Sequence, residues 1–240
     1  MKKLSIKSPN YDKKTRLKKN VKFIIIHYTG MQSEIESINR LTDAKSKVSC
    51  HYFINRKGKI IQMVRENKVA WHAGKSKWKN FNNLNEKSIG IELCNKGHEF
   101  GYQSFPKTQI VSLLKLCKKI KKKYKIKDKN FLGHSDVSPL RKKDPGEKFP
   151  WQKLSKFNIG IWYKKKLPKL NVGKKNFRSL FYKNLYKIGY RYFNIRKKSK
   201  KDRSIIIAFQ RRYYPEKITG LLDEKTMQIS QFLANSNKFS

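Results

Sequence analysis

Val21-Lys22-Phe23-Ile24-Ile25-Ile26-His27 is an apolar run of strand length, rich in β-branched residues, that stops at Thr29-Gly30. A run without polar alternation reads as a central strand buried on both faces. Its polar end is where loops carry chemistry. Downstream, residues 33–48 open with Ser33 and Glu36 at capping-box spacing and place Ile35, Ile38 and Leu41 at helical intervals. Residues 51–55 and 59–64 flank Arg56-Lys57-Gly58, a hairpin pattern with a glycine in the turn. Ser88-Ile89-Gly90-Ile91-Glu92-Leu93 is a further short strand. A helix follows from 108 to about 125, with Ile110, Leu113, Leu114, Cys117 and Ile120 on its apolar face and lysines on the wet one. Residues 131–144, with Gly133 and Pro139, read as a loop-rich stretch. Strands alternating with helices give an α/β fold with a mixed central sheet flanked by helices.

Beyond Trp162 the pattern changes. Tyr163-Lys164-Lys165-Lys166-Leu167-Pro168 is a polar, proline-containing connection, and after it come three helical segments near 176–188, 202–213 and 223–235. These read as a second, small three-helix domain. The expected organisation is a larger domain over 1–163, a linker over 164–174 and the helical domain over 175–240. Its aromatic residues, among them Tyr186, Tyr190, Tyr192, Phe209 and Tyr213, read as core or as a surface for stacking glycans.

At 240 residues and 38% hydrophobic, the chain can build a core, which excludes wholesale disorder. Its formal charge of +43 attracts any polyanion. However, the cations are 48 Lys against 11 Arg and run along the whole chain, a choice unsuited to reading bases. No specific nucleic acid partner is expected. The longest apolar runs, 23–26 and 205–209, fall far short of the roughly 18 to 20 residues of a membrane helix, so no transmembrane segment is expected. The basic start, Met1-Lys2-Lys3-Leu4-Ser5, has no apolar region behind it of the kind an export signal carries. Cys50, Cys94 and Cys117 are odd in number and widely spaced, which suits a reducing compartment. Together these features point to the cytoplasm.

Five histidines occur, at 27, 51, 72, 98 and 134. His27 ends the apolar strand. His134 sits in Gly133-His134-Ser135-Asp136, ten residues before Asp144. Two histidines and a carboxylate are a common ligand set for catalytic zinc, with the fourth position left to water. Spacing alone does not select this set from the five histidines, because no compact motif such as HExxH joins them.

A chain of motifs in order does carry a resemblance. His27-Tyr28-Thr29-Gly30, Val48-Ser49-Cys50-His51-Tyr52-Phe53-Ile54, Trp71-His72-Ala73-Gly74 and Ser88-Ile89-Gly90-Ile91-Glu92-Leu93 come first. Gly133-His134-Ser135-Asp136-Val137-Ser138-Pro139, Arg141-Lys142-Lys143-Asp144-Pro145-Gly146 and Phe149-Pro150-Trp151 follow. Over about residues 9–162 this resembles the zinc-dependent N-acetylmuramoyl-L-alanine amidases of type 2, relatives of the peptidoglycan recognition proteins, and most nearly their AmiD and AmpD branches. The tail resembles the small peptidoglycan-binding domain attached to such enzymes, through Phe209-Gln210-Arg211-Arg212-Tyr213-Tyr214-Pro215, Gly220-Leu221 and Asp223-Glu224-Lys225-Thr226.

The resemblance implies a peptidoglycan recognition protein-like fold and one Zn2+ per chain on His27, His134 and Asp144. It implies Glu92 as general base and acid, and Lys142 facing the oxygen that gains charge. The implied reaction is hydrolysis of the amide between the lactyl group of N-acetylmuramic acid and L-alanine, in peptidoglycan or anhydro-muropeptides, by a monomer. Asp136 competes with Asp144 for the third ligand position, but it lies just before a proline-bearing turn and reads as structural. Trp71, His72 and Ala73 read as a groove wall that meets substrate. His51 reads as a packing residue of the hairpin. Cys50 departs from relatives that place a catalytic tyrosine there, which favours the Glu92 route. Two other readings are a non-catalytic peptidoglycan-binding module and a basic polyanion-binding protein. The polymer-binding tail points to the cell wall, against the cytoplasmic reading.

Overall fold

The computed structural model describes residues 6–164, 166–167, 169–170, 173 and 176–236. The basic start at 1–5 and positions 165, 168, 171, 172 and 174 of the expected linker lie outside the described residues. In chain order the elements are β1 (Tyr11–Asp12), β2 (Phe23–Tyr28), α1 (Glu34–Thr42), β3 (Tyr52–Ile54) and β4 (Ile60–Gln62). Then come β5 (Val69–Ala70), β6 (Lys77–Trp78), β7 (Phe81–Asn82), β8 (Ser88–Leu93) and α2 (Lys107–Tyr124). β9 (Phe131–Gly133), α3 (His134–Val137) and α4 (Trp151–Ser155) complete this part, and α5 (Phe177–Ile188), α6 (Asp202–Tyr213) and α7 (Glu224–Asn235) follow.

The main sheet has the order β4-β3-β8-β2-β9, with β4 antiparallel and the other neighbours parallel. β2 is interior and bonded on both edges. Its Ile24, Ile25 and Ile26 are fully buried, together about 5–9 kcal/mol of transfer free energy, enough to fix this strand inside the sheet. Alternation divides its side chains. Ile24 and Ile26, with Ile89, Ile91 and Leu93 of β8, pack under Ile110, Leu113, Leu116, Cys117 and Ile120 of α2. Phe23 and Ile25, with Leu132 of β9, share one cluster with Phe181, Leu185, Ile205, Phe209, Tyr213 and Met227 of the C-terminal helices. The second face of the sheet is therefore covered partly by the end of the chain itself.

Several local readings need correction. The helix expected over 33–48 stops at Thr42. Ser33 Oγ caps it by accepting from the Glu36 N–H at 3.1 Å, but Asp43 accepts from Lys45 N–H and starts a separate 3-10 turn. Ile35, placed on its apolar face, is 71% exposed. The stretch at 131–144 is not all loop: its first three residues form β9, parallel to β2, and a four-residue helix follows. Three residues are too few to show an alternation. The three C-terminal helices lie at the expected positions, and Tyr190, Phe209 and Tyr213 are buried core while Tyr186 is exposed. Among the described residues no helix is long and apolar enough to cross a membrane.

Candidate active site

Parallel register sets up the site at the carboxyl ends of three adjacent strands, the usual place for ligands on an open α/β sheet. His27 of β2 lies directly opposite Glu92 of β8, and Ile26 lies opposite Gly133 of β9, so His134 follows beside His27. Alternation sends Ser88, Gly90 and Glu92 to the face of Phe23, Ile25 and His27, away from α2. Asp144 comes from the loop beyond α3, tied back by its carbonyl, which accepts from the Ser135 N–H at 2.9 Å.

Three atoms converge here. His27 Nδ1 lies 3.0 Å from both His134 Nδ1 and Asp144 Oδ2, and His134 Nδ1 lies 3.1 Å from the same Oδ2. All three residues are buried. Among the described residues this is the one set of three His, Cys, Asp or Glu side chains grouped closely enough to hold a metal ion. Ligands at 2.0–2.1 Å from a tetrahedral zinc sit about 3.3 Å apart, so this triangle accepts the ion after opening by a few tenths of an ångström. The donor chemistry fits as well, with two imidazole nitrogens and one carboxylate oxygen.

Hydrogen bonds fix which nitrogen of each ring is free. His134 Nε2–H donates to the Ala73 carbonyl at 3.1 Å, leaving the Nδ1 lone pair pointing at the triangle. His27 Nε2–H donates to His72 Nδ1 at 3.1 Å, and His72 Nε2–H donates to Ser88 Oγ at 3.2 Å. Ser88 in turn donates to the Leu84 carbonyl at 2.6 Å. This chain orients His27 Nδ1 inward, the arrangement that makes a histidine a good metal ligand. Room for it depends on Gly90, where a Cβ would lie 2.4 Å from His72 Cγ. Burial first, and then the nearby His134, lowers the His27 pKa to about 4, so the ring is neutral and able to coordinate. Burial alone would raise Asp144, but His134 and His27 override it and hold its carboxyl well below the usual carboxylate range.

Glu92 is set apart. Its Oε2 is buried and has no hydrogen-bond partner. Burial, followed by the charge of Asp144, pushes the carboxyl up to about 8, against the opposing pull of Lys142. A cleft of about 320 Å³ opens over these groups and is bordered by Trp71, Arg40, Glu99, Lys142 and Lys143.

The expected groove wall is only partly there. Trp71 borders the cleft, with its Nε1–H donating to Asp12 at 2.7 Å. Ala73 is fully buried, so its side chain meets no ligand; its carbonyl serves His134 instead. His72 also borders the cleft, but both of its ring nitrogens are occupied behind His27. Its orienting position is a feature that reading the sequence missed. The signal was the alternation of Ser88, Gly90 and Glu92, which puts a hydroxyl, a gap and a carboxylate in one row. Arg141 was missed too: its Nη2 donates to the Ala73 carbonyl at 2.9 Å. Asp136 takes no part in the triangle, and Cys50 is buried beside Met63 with its thiol pushed up by burial.

Comparison with known proteins bears on this arrangement. The N-acetylmuramoyl-L-alanine amidase family matches residues 17–147. N-acetylmuramoyl-L-alanine amidase AmiD of Escherichia coli is 34% identical over 229 residues, spanning 89% of this chain and 82% of its own length. The 1,6-anhydro-N-acetylmuramyl-L-alanine amidase AmpD of Haemophilus influenzae is 33% identical over 166 residues, 62% of this chain and 88% of its own. The solved structure of E. coli AmiD, in complex with the substrate anhydro-N-acetylmuramic acid-L-Ala-D-gamma-Glu-L-Lys, superposes with a TM-score of 0.79 at 31% identity, covering 95% of this chain and 93% of that one. AmpDh3 from Pseudomonas aeruginosa gives 0.78 at 31% identity, covering 96% and 97%. With a matching family profile over more than half its length and a relative aligned along most of it, the chain belongs to the N-acetylmuramoyl-L-alanine amidase family.

Proposed function

We propose that this protein hydrolyses the amide joining the lactyl group of N-acetylmuramic acid to L-alanine in peptidoglycan fragments, with one Zn2+ held by His27, His134 and Asp144. The observation that carries this reading is the convergence of His27 Nδ1, His134 Nδ1 and Asp144 Oδ2 within 3.0–3.1 Å of one another, beside the unpartnered Oε2 of Glu92. Bound zinc supplies a Lewis acid for the carbonyl and brings the pKa of water down towards about 7.

The chain's own residues supply the rest. Glu92 is the general base: its buried carboxylate, raised to about 8, takes a proton from the attacking water and returns it to the leaving amine of L-alanine. Lys142, which borders the cleft, offers its ammonium to the oxygen that becomes negative in the tetrahedral intermediate. His72 and Ser88 hold His27 in its coordinating tautomer, and the Ala73 carbonyl does the same for His134. Trp71 forms part of the wall that a sugar-peptide meets.

The fragment class follows from the relatives, since solved complexes of AmiD and AmpDh3 carry anhydromuramic peptides. Residues 1–163 are proposed as the catalytic unit, 164–174 as the connection and 175–240 as a peptidoglycan-binding-like helical unit, supported by an AmiD alignment that runs through both units. Every group of the triangle comes from one chain, in keeping with action as a monomer. Free, buried Cys50, Cys94 and Cys117 support a reducing compartment, the cytoplasm, and recycling of muropeptides there.

Mass spectrometry of the products tests the reaction. Anhydro-muropeptide incubated with the protein should give free anhydro-N-acetylmuramic acid and a peptide beginning at L-alanine, and a chelator should stop it. Cleavage at any other bond, or cleavage undiminished by the chelator, would reject the proposal.

A further inference from the structure

The carboxylate of Asp136, two residues after His134, is almost fully buried and fully used. Its Oδ2 accepts from the Gly133 N–H at 2.7 Å and from Arg212 Nη1, and its Oδ1 accepts from the Tyr190 hydroxyl at 2.6 Å. Arg212 Nη2 also donates to the Phe131 carbonyl at 2.9 Å, and its guanidinium lies 4.0 Å over the Trp151 ring. The same carboxylate that caps the backbone just before His134 is thus gripped by two residues of the C-terminal helical region. The preceding residue, Arg211, acts on the other ligand loop. Its Nε donates to Glu147 Oε2 at 3.3 Å, three residues beyond Asp144. Glu147 Oε2 also accepts from His98 Nε2–H at 3.1 Å, and His98 Nδ1 accepts from the hydroxyl of Tyr28, the neighbour of His27, at 2.8 Å.

Apolar contact alone would attach these helices, since Phe181, Ile205 and Phe209 already share a cluster with the sheet. A buried ion pair adds little to stability over an apolar pair of similar shape, so its value lies in where it fixes geometry. Ligand sets need placement to within about 0.5 Å to work, and loops achieve that only when held from behind. We propose that Arg211 and Arg212 of α6 are positioning residues of the metal site, Arg212 fixing the start of α3, which carries His134, through Asp136 and Arg211 fixing the Asp144 loop through Glu147. The proposal rests on His27, His134 and Asp144 being the metal ligands. The C-terminal helices then serve the catalytic centre directly, whatever else they bind.

The test uses the full chain with Arg212→Met, Tyr190→Phe and Arg211→Gln. Zinc affinity is measured by competition with a chromophoric chelator, and the visible absorption of the Co2+-loaded protein reports ligand geometry. Arg212→Met should weaken metal binding by about tenfold or more and shift the cobalt bands, with effects of several-fold for the other two variants. Should Arg212→Met fail to fold, Tyr190→Phe removes one hydroxyl and Arg211→Gln a partly exposed ion pair, and these two decide. Wild-type affinity and an unchanged cobalt spectrum in folded variants would overturn the proposal, even where thermal stability falls, because that pattern belongs to packing alone. A wild-type chain that takes up no metal would defeat the ligand assignment itself, and the proposal with it.

Discussion

Glu92→Gln keeps its metal and loses about 10²- to 10⁴-fold in kcat. Glutamine has the size of the native side chain but cannot take a proton from water or hand one to the departing amine. Its amide also has no charge to desolvate, so a site that raises the carboxyl to about 8 accepts it without unfolding. Substrate binding should change little, which would put the loss in kcat and leave KM nearly as it was. The base works only when ionised, so wild-type kcat/KM falls as pH drops through the Glu92 pKa. Burial and Asp144 raise that pKa, while Lys142 and a bound cation lower it. The variant should lack this acid limb. Steady-state kinetics on purified muropeptide, with metal content measured on the same samples, reads all of these outcomes. Wild-type turnover in Glu92→Gln would remove Glu92 from the mechanism.

The second large effect belongs to Asp144. Asp144→Ala should leave less than about a thousandth of the activity and a chain that no longer retains zinc against a chelator. Two buried imidazoles would remain, their Nδ1 atoms 3.0 Å apart with no anion between them. Two ligands alone make a weak site for Zn2+, and the negative charge that balanced the ion is gone. Asp144→Asn separates shape from charge: it restores the packing while remaining nearly as inactive. Asp136→Asn should fall between, weakening metal retention by about tenfold without abolishing it, because Asp136 bonds Gly133, Tyr190 and Arg212 and acts on the site only through the backbone that precedes His134. Activity and metal retention in Asp144→Ala equal to wild type would show that Asp144 is no ligand.

How far these roles could be read in advance varied with the physics of each element. Ile24, Ile25 and Ile26 announced an interior strand because only burial on both faces suits three such residues in succession. Ser88 to Leu93 was legible as a strand, but the division of its side chains between an α2 face and a site face emerged only from its pairing with β2. β9 was not, because a three-residue strand ending at glycine has no period to detect. That one gap hid the site's geometry: β9 is what brings His134, 107 residues from His27, alongside it. Resemblance to the amidases supplied the pairing that spacing could not. The orienting role of His72 was hidden for a related reason. Its neighbours Trp71 and Ala73 suggested a groove, while the hydroxyl and the gap that receive its ring lie on β8 at Ser88 and Gly90. Arg212 is the hardest case, for a charged residue on an apolar helix face reveals its partner only once the chain is folded.

Zinc K-edge X-ray absorption on the purified full chain tests the central assignment most directly. One zinc per chain is expected, with nitrogen and oxygen neighbours at about 2.0–2.1 Å and the outer-shell signature of two imidazoles. A sulfur neighbour at about 2.3 Å, or no stoichiometric zinc, would contradict coordination by His27, His134 and Asp144.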